Sequence, residues 1–352
     1  VKEALYLFLL QKREENELSQ AFTAYNTRIV TPPHGSMLPT SPVRKNIFMA
    51  AFALGLLIPI VIIFMRENMN TRVRGRKDLE SVTVPFIGEI PLFTRKKKRI
   101  FGKKPQEVKT VVVKEGSRDI INEAFRVLRT NLEFMTGKDK TSNVIIMTSF
   151  NPGSGKSFLT MNIAVSFAIK GKKVLVIDGD LRHGSASSYI DSPAKGLSDY
   201  LGGRIDNLDE IIVPDPRHKS MDILPVGTIP PNPTELLFDE RLKQVIDTVR
   251  GQYDYVLIDC PPIELVADTQ IIEKLADRTI FVVRAGLLER SMLAELEKIY
   301  GEKKYKNMSL ILNGTEGSGG RYGYRYGYRY GYHYGYGSGY HYGSDEKRVG
   351  VG

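Results

Sequence analysis

The sequence predicts an α/β protein: a mostly parallel sheet with helices on both faces, preceded by one transmembrane helix. Three observations carry that expectation. Short continuous apolar runs, closing on an acid or a turn, alternate with stretches of helical period, the pattern of strands buried on both faces. One such run leads into a glycine-rich turn ending in Gly155-Lys156-Ser157. A separate run, Ile47 to Met65, holds nineteen residues without a charge.

Composition bounds the rest. At 352 residues the chain has room for two folding units, and 42% apolar residues are ample for a core. The net charge of +10 is clustered rather than spread, which points to an acidic partner such as membrane lipid or nucleic acid. A single cysteine, Cys260, excludes an internal disulfide framework and supplies no metal-ligand set. The chain starts at Val1 in what reads as mid-helix, so further sequence is expected upstream.

Taken in order, residues 3–25 space Leu5, Leu9, Leu10, Leu18, Phe22 and Tyr25 among charges as an amphipathic helix does. Pro32, Pro33, Pro39 and Pro42 make an extended connector. The uncharged run that follows is long enough to span a bilayer at about 1.5 Å per residue. Arg66, Arg72, Arg74, Arg76 and Lys77 outnumber Arg44 and Lys45 across it, so its C-terminal side is expected to be cytoplasmic. This gives a periplasmic helix end and connector over 1–45, a transmembrane helix over 46–65 and a basic juxtamembrane linker over 66–116.

Within that linker, VPFIGEIPLF (Val84 to Phe93) reads as a hydrophobic patch. Arg95–Arg99 with Lys103 and Lys104 form a basic block. The block suits anionic lipid headgroups, at about 1 kcal/mol per charge near the surface, or serves as a solvated tether. Nucleic acid is not the expected partner, because no aromatic residues interleave with the charges.

A helix over 117–136 presents Ile120, Ile121, Ala124, Phe125, Leu128 and Leu132 as its apolar face. Glu123, Arg126 and Arg129 fall three apart along one side, which by spacing alone is a solvated charged face. Strands are then expected at Val144–Met147, Val174–Ile177, Val256–Ile258, Thr279–Val283 and Ser309–Leu312, with a helix over Lys156–Lys170.

The turn after Met147 has the chemistry of a phosphate cradle. Glycines let backbone N–H groups converge on phosphate oxygens, Lys156 adds a point charge and the Ser157 hydroxyl can ligate Mg²⁺. Asp178, Asp180 and Asp259 close neighbouring apolar strands. Ligands of parallel sheets sit beyond strand C-termini, and a hard cation wants oxygen ligands, so a Mg²⁺-nucleotide site is expected there. The P-loop pattern ordinarily opens with Gly, and Phe150 holds that position here. Residues 316–352 form a low-complexity tail with ten tyrosines in 317–343: Tyr322, Tyr324, Tyr326, Tyr328, Tyr330, Tyr332, Tyr334, Tyr336, Tyr340 and Tyr342. Glycines deny it a core, so disorder is expected; a β-prone segment and an RNA-stacking tract are the other readings of such composition. His333 and His341 are too scattered to make a metal-ligand set.

TSFNPGSGKS, VLVIDGDLR and VLIDCPP together resemble the three Walker-type motifs of the bacterial tyrosine kinases. GTIPPNPTELL (Gly227 to Leu237), EAFRVLRTN (Glu123 to Asn131) and the tyrosine tail resemble further signatures of that family. The segment from LYLFLLQKREE through the span is similar to the end of a chain-length determinant, or polysaccharide co-polymerase. The resemblance implies a P-loop NTPase-type sheet, with a cytoplasmic kinase domain over 117–315. It implies a protein-tyrosine autokinase using ATP and Mg²⁺ and regulating the length and export of capsular or exopolysaccharide. Lys156, Asp178 and Asp180 would be catalytic. Pro152, Gly153, Ser154, Gly155, Lys156, Ser157, Phe158, Arg182 and Asn313 would bind nucleotide, and Ser157, Asp178 and Asp259 would serve the metal. Glu123, Arg126 and Arg129 would join subunits into a ring, and the tail tyrosines would accept phosphate.

The implied partners are other copies of the chain, the bacterial inner membrane, the polysaccharide polymerisation and export machinery and a tyrosine phosphatase. Phe150, and His183-Gly184 where the family often continues with Arg or Pro, depart from the pattern and are expected to tune rather than abolish activity. Two rivals share the motifs: a membrane-tethered P-loop ATPase switch, and a co-polymerase that binds nucleotide without catalysis. Eukaryotic-type kinase chemistry is excluded, since neither H-R-D nor D-F-G occurs.

Overall fold

The computed structural model describes residues 2–22, 35, 43–93, 110–137, 142–263 and 267–316. The proline connector apart from Gly35, the basic block at Arg95–Arg99 with Lys103 and Lys104, all ten tail tyrosines and both tail histidines lie outside the described residues.

The chain divides into Val1–Asn70 and Thr71–Gly352. The first unit holds α1 (Lys2–Phe22) and α2 (Arg44–Asn68). On α1, Lys12 pairs with Glu15 and Arg13 with Glu17, spacings that helical geometry brings together. Within α2, Arg44–Met65 has a mean hydropathy of 2.9 and carries Pro59 without a break. Among the described residues it is the one helix long and apolar enough to cross a membrane.

The second unit runs β1 (Phe86–Pro91), α3 (Ile120–Thr136), β2 (Val144–Thr148), α4 (Lys156–Ile169), β3 (Val174–Asp178), α5 (Leu197–Leu201), β4 (Val213–Pro214), β5 (Met221–Leu224), α6 (Pro233–Leu237), α7 (Glu240–Gln252), β6 (Tyr255–Asp259), α8 (Asp268–Glu273), β7 (Arg278–Arg284), α9 (Met292–Gly301) and β8 (Ser309–Thr315). The strands form one eight-stranded sheet in the order β1-β8-β7-β2-β6-β3-β5-β4. Every pairing is parallel except β4 with β5.

Alternation along the strands divides the core in two. Val144, Ile146, Leu175, Ile177, Val256 and Ile258 face α7, α8 and α9, where Val245, Ile246, Ile272 and Leu296 meet them. Ile145, Met147, Val174, Val176 and Leu257 face α3 and α4, where Phe125, Leu128, Leu159 and Phe167 meet them. Each fully buried Leu, Ile or Phe removes enough apolar surface from water for about 1.5–3 kcal/mol. All five positions of β2, β3 and β6 are buried, so these strands read as continuous apolar runs instead of alternating ones. Helix α3 starts at an N-cap, Asp119, whose side chain accepts from the Asn122 N–H.

Two expectations need correction. The expected linker over 66–116 is folded in part, because the second unit begins at Thr71 and the patch Val84–Phe93 contains β1, an edge strand of the sheet paired with β8. Val73, Leu79, Val84, Ile87, Ile90, Val112 and Val113 are all buried. Prolines at 85 and 91 disguised the strand, and an edge position is where a sheet tolerates them. On α3 the apolar face is narrower than expected, since Ile120 is 54% exposed whereas Phe125, Leu128 and Leu132 are buried.

Candidate nucleotide site

The site is built where three adjacent strands end. β2 feeds the loop 149–155, and Asp178 of β3 and Asp259 of β6 stand in register on the neighbouring strands. The turn after Asp259 is tied to β2 by three hydrogen bonds. Cys260 N–H donates to Met147 O at 3.0 Å, Thr148 Oγ1 to Pro261 O at 2.9 Å and Ile263 N–H to Ser149 O at 2.9 Å.

Phe150 does not intrude on the loop. Its ring points into the core, edge-on to Phe281 with centroids 4.9 Å apart. The loop then turns at Gly153 and Gly155, with φ of 73° and 89°, the left-handed region that favours glycine. At Gly155 a Cβ would also come within 2.2 Å of Asn313 Nδ2. Helix α4 starts at Lys156, placing its N-terminal N–H groups and Ser157 at the loop's end.

The acids differ in their surroundings. Asp178 is fully buried, and its Oδ2 accepts from Ser187 N–H at 2.6 Å and Ser187 Oγ at 2.7 Å, while Oδ1 accepts from Asp180 N–H at 3.3 Å. Burial pushes its pKa up, the Ser187 hydrogen bonds opposing the shift. Asp180 caps its own turn, accepting from the Arg182 and His183 N–H groups at 3.2 Å, and the exposed His183 ring sits against the same carboxylate.

Asp259 is buried with neither carboxylate oxygen completing a well-formed hydrogen bond, although the Ser157 hydroxyl lies alongside. Burial, and then the neighbouring Asp178 charge, raise its pKa. Lys156 faces Asp259 and Asp180, and burial lowers its ammonium pKa against their attraction. A buried, unsatisfied carboxylate beside a serine hydroxyl is costly unless a cation completes it. Among the described residues no group of three or more His, Cys, Asp or Glu could hold a metal alone. The hard oxygens of Asp259 and Ser157 suit Mg²⁺, which keeps waters and takes phosphate oxygens instead of an all-protein cage.

A family model described as an AAA domain matches residues 142–300. Among solved structures, the "BceF Tyrosine Kinase Domain" is 30% identical, with a TM-score of 0.58, covering 69% of this chain and 99% of that one. The chain belongs to the bacterial tyrosine-protein kinases. The kinase domain of Escherichia coli tyrosine kinase ETK is 29% identical with a TM-score of 0.59, covering 76% of this chain and 100% of that one. Tyrosine-protein kinase wzc of Salmonella typhimurium is 32% identical over 286 residues, covering 80% of this chain and 39% of the relative. Tyrosine-protein kinase etk of Escherichia coli K12 is 30% identical over 298 residues, covering 81% of this chain and 40% of the relative. The chain thus spans less than half the length of these two relatives.

In this member of the kinase family the other expected residues are placed as follows. Pro152 and Gly153 are exposed on the loop, Ser154 is buried with its hydroxyl on Asn151 O, and Phe158 packs against Phe125 at 5.9 Å. Arg182 Nε donates to Asp268 Oδ2 at 3.1 Å and its Nη2 to Thr234 Oγ1 at 2.9 Å, while Thr234 Oγ1 donates to Asp268 Oδ1 at 2.6 Å. Asn313 Nδ2 donates to Ser154 O at 2.8 Å. On α3, Glu123 pairs with Arg126, and Arg129 Nη1 donates to Ser166 O at 2.9 Å.

Sequence reasoning missed Ser187, Thr234, Asp268 and Arg284. Neither Ser187 nor Asp268 stands at an expected strand end or inside a recognised motif. Thr234 stood inside a recognised signature, but its partner lies 34 residues away. Arg284 follows the expected strand Thr279–Val283 and carried no motif.

Proposed function

We propose that the chain is the C-terminal part of an ATP- and Mg²⁺-dependent protein-tyrosine autokinase. It phosphorylates the tyrosine cluster of a neighbouring subunit in a ring-like homo-oligomer, and so regulates the length and export of capsular or exopolysaccharide. The observation that carries the reading is the unsatisfied, buried Asp259 beside Ser157 and Lys156, at the mouth of a glycine-turned loop. The relatives' names supply the class of acceptor, and the tail supplies the acceptors. It leaves the sheet after Thr315, two positions beyond Asn313, which is itself bonded to the loop. A Gly-rich chain of about fourteen residues would reach about 20 Å r.m.s., enough to enter an adjacent subunit's site.

The chemistry follows from the residues. A tyrosine phenol, with a pKa near 10, is a poor nucleophile at neutral pH. We assign Asp180 as its proton acceptor, because Asp178 is enclosed by Ser187 and the Asp180 N–H. As the phenol oxygen bonds to the γ-phosphorus, the bond to the β-phosphate oxygen breaks and ADP leaves. Lys156 and the N–H groups of the loop balance charge on the transferring phosphoryl group. Mg²⁺, held by Ser157 and Asp259, would neutralise phosphate charge when bound. Asp178 keeps the turn carrying Asp180 in place.

The remaining assignments rest on charge and exposure. Glu123 and Arg126 are half-exposed on α3 and suit a subunit contact, whereas Arg129 is engaged by Ser166 O. The charge asymmetry about α2 supports a kinase unit in the cytoplasm of a bacterium, with the N-terminal segment periplasmic. The basic block would contact anionic lipids of the inner membrane. Phosphorylation would turn the tail acidic, at about −1.5 to −2 per phosphate, and loosen the ring until a phosphatase resets it.

The test is intact mass of the full chain after incubation with ATP and Mg²⁺, beside Lys156→Met. A ladder of additions of about 80 Da, absent in the variant, is the expected result. ADP release without a ladder would instead make the protein an ATPase switch. Nucleotide binding with neither would leave it a structural element of a co-polymerase.

A further inference from the structure

We infer that Arg284 is a positioning residue that pre-aims the phosphate loop, acting with Asn313 as a two-point clamp. Arg284 and Asn313 are register partners at the ends of β7 and β8. Arg284 Nη1 donates to Gly153 O at 3.2 Å, and Asn313 Nδ2 donates to Ser154 O at 2.8 Å. The two acceptors are consecutive carbonyls of the loop.

A planar trans peptide sets the consequence. Each carbonyl and the N–H that follows it point in opposite directions. Drawing the oxygens of Gly153 and Ser154 outward, toward β7 and β8, therefore turns the N–H groups of Ser154 and Gly155 inward, toward the phosphate position. The glycines make this orientation accessible, at φ of 73° for Gly153 and 89° for Gly155. Without the clamp the same freedom would let either peptide flip, since glycine populates both halves of the φ range.

Arg284 is itself held from behind. Ala285 N–H donates to Asn313 O at 2.9 Å, and the N–H groups of Leu287 and Leu288 both reach Arg284 O at 3.2 Å. The turn that follows is strapped by the first residues of this folded unit. Gly286 N–H donates to Val73 O at 2.7 Å, Val73 N–H to Leu288 O at 2.8 Å and Arg72 Nη1 to Gly286 O at 3.0 Å. Val73 is wholly buried. The chain just after α2 thus fixes the turn from which Arg284 reaches the loop.

This inference rests on the nucleotide-binding reading above, and its test separates the two. The full chain in detergent is titrated with fluorescent ADP in Mg²⁺, as wild type, Arg284→Ala, Arg284→Lys and Lys156→Met. Hydrogen exchange of the 150–158 segment is followed without nucleotide. In Arg284→Ala, affinity should fall about tenfold, the worth of one lost hydrogen bond to a charged donor. The Ser154 and Gly155 amides should exchange faster, while the melting temperature stays put. Arg284→Lys keeps a donor and should recover most of the affinity. The loss should be the same at low and high salt, because the partner is a neutral carbonyl; a direct ionic contact with phosphate would be screened.

Wild-type affinity or unchanged exchange in Arg284→Ala would overturn the clamp. So would a loss that vanishes at high salt. Failure of the wild type itself to bind ADP would overturn the nucleotide reading instead.

Discussion

Asp178 and Asp259 stand opposite one another in register on β3 and β6, both buried, yet only Asp178 has both carboxylate oxygens hydrogen-bonded within the protein. One carboxylate is tied into the scaffold, and the other has no hydrogen bond that does the same.

That asymmetry predicts a pH dependence. Burial raises both pKa values above those of the unfolded chain, so the nucleotide-free fold holds protons that the unfolded chain releases. Its stability should fall as pH climbs from about 4, the ordinary carboxylate value, through the raised native values. Mg²⁺ needs the deprotonated Asp259, so its stabilisation should grow over the same window. Thermal melts of the full chain, with and without Mg²⁺ and ADP, should show a larger gain at about pH 8 than at about pH 5. Asp259→Asn should flatten the nucleotide-free slope and remove the Mg²⁺-dependent part of the gain.

Phe150 can be tested against its apparent oddity. Its ring is core, packed on Phe281. Phe150→Gly should restore the usual motif on paper and yet cost about 3–5 kcal/mol, the loss on emptying a buried aromatic site. Chemical denaturation measures it. Nucleotide affinity should not improve.

Gly155→Ala should spare the fold and break the loop. The new methyl would meet Asn313 Nδ2 at 2.2 Å, at a φ of +89°. Strain there costs about 1–2 kcal/mol, with the Asn313–Ser154 hydrogen bond lost in addition. ADP affinity should drop by at least about tenfold, read by titration, with the far-UV circular dichroism unchanged.

Asp268 joins three segments, accepting from Arg182 and from Thr234. Asp268→Ala should cost about 2 kcal/mol, given that Arg182 is 36% exposed and its bond partly screened. Tyrosine phosphorylation should fall further than ADP binding, because Arg182 shares the turn of Asp180, whereas the carbonyls of the P-loop are held from β7 and β8. Asp268→Asn keeps an acceptor and should lose less. Parallel phosphotransfer and titration assays check the split.

The central strands, and the loop and acids expected at their ends, were legible in the residues alone. Val144–Thr148, Val174–Asp178 and Tyr255–Asp259 are buried along their whole length. Burial on both faces leaves an uninterrupted apolar run, and the glycines, Lys156 and the terminal aspartates follow it directly in the chain. The span was legible for the same reason, a long stretch without charge. Edge elements were not. β1 follows one proline and ends on another, and β4 has two residues and its neighbour β5 four, too short for any period to declare itself.

Which way side chains face is set by packing in the folded unit. It turned Phe150 into the core, enclosed Asp178 with a serine nine residues on, and left Asp259 unsatisfied. It also set Arg284 and Asn313 on carbonyls 131 and 159 residues distant in the chain. Such contacts arise from the order in which strands assemble into the sheet, and residue type and spacing along the chain carry no record of that order.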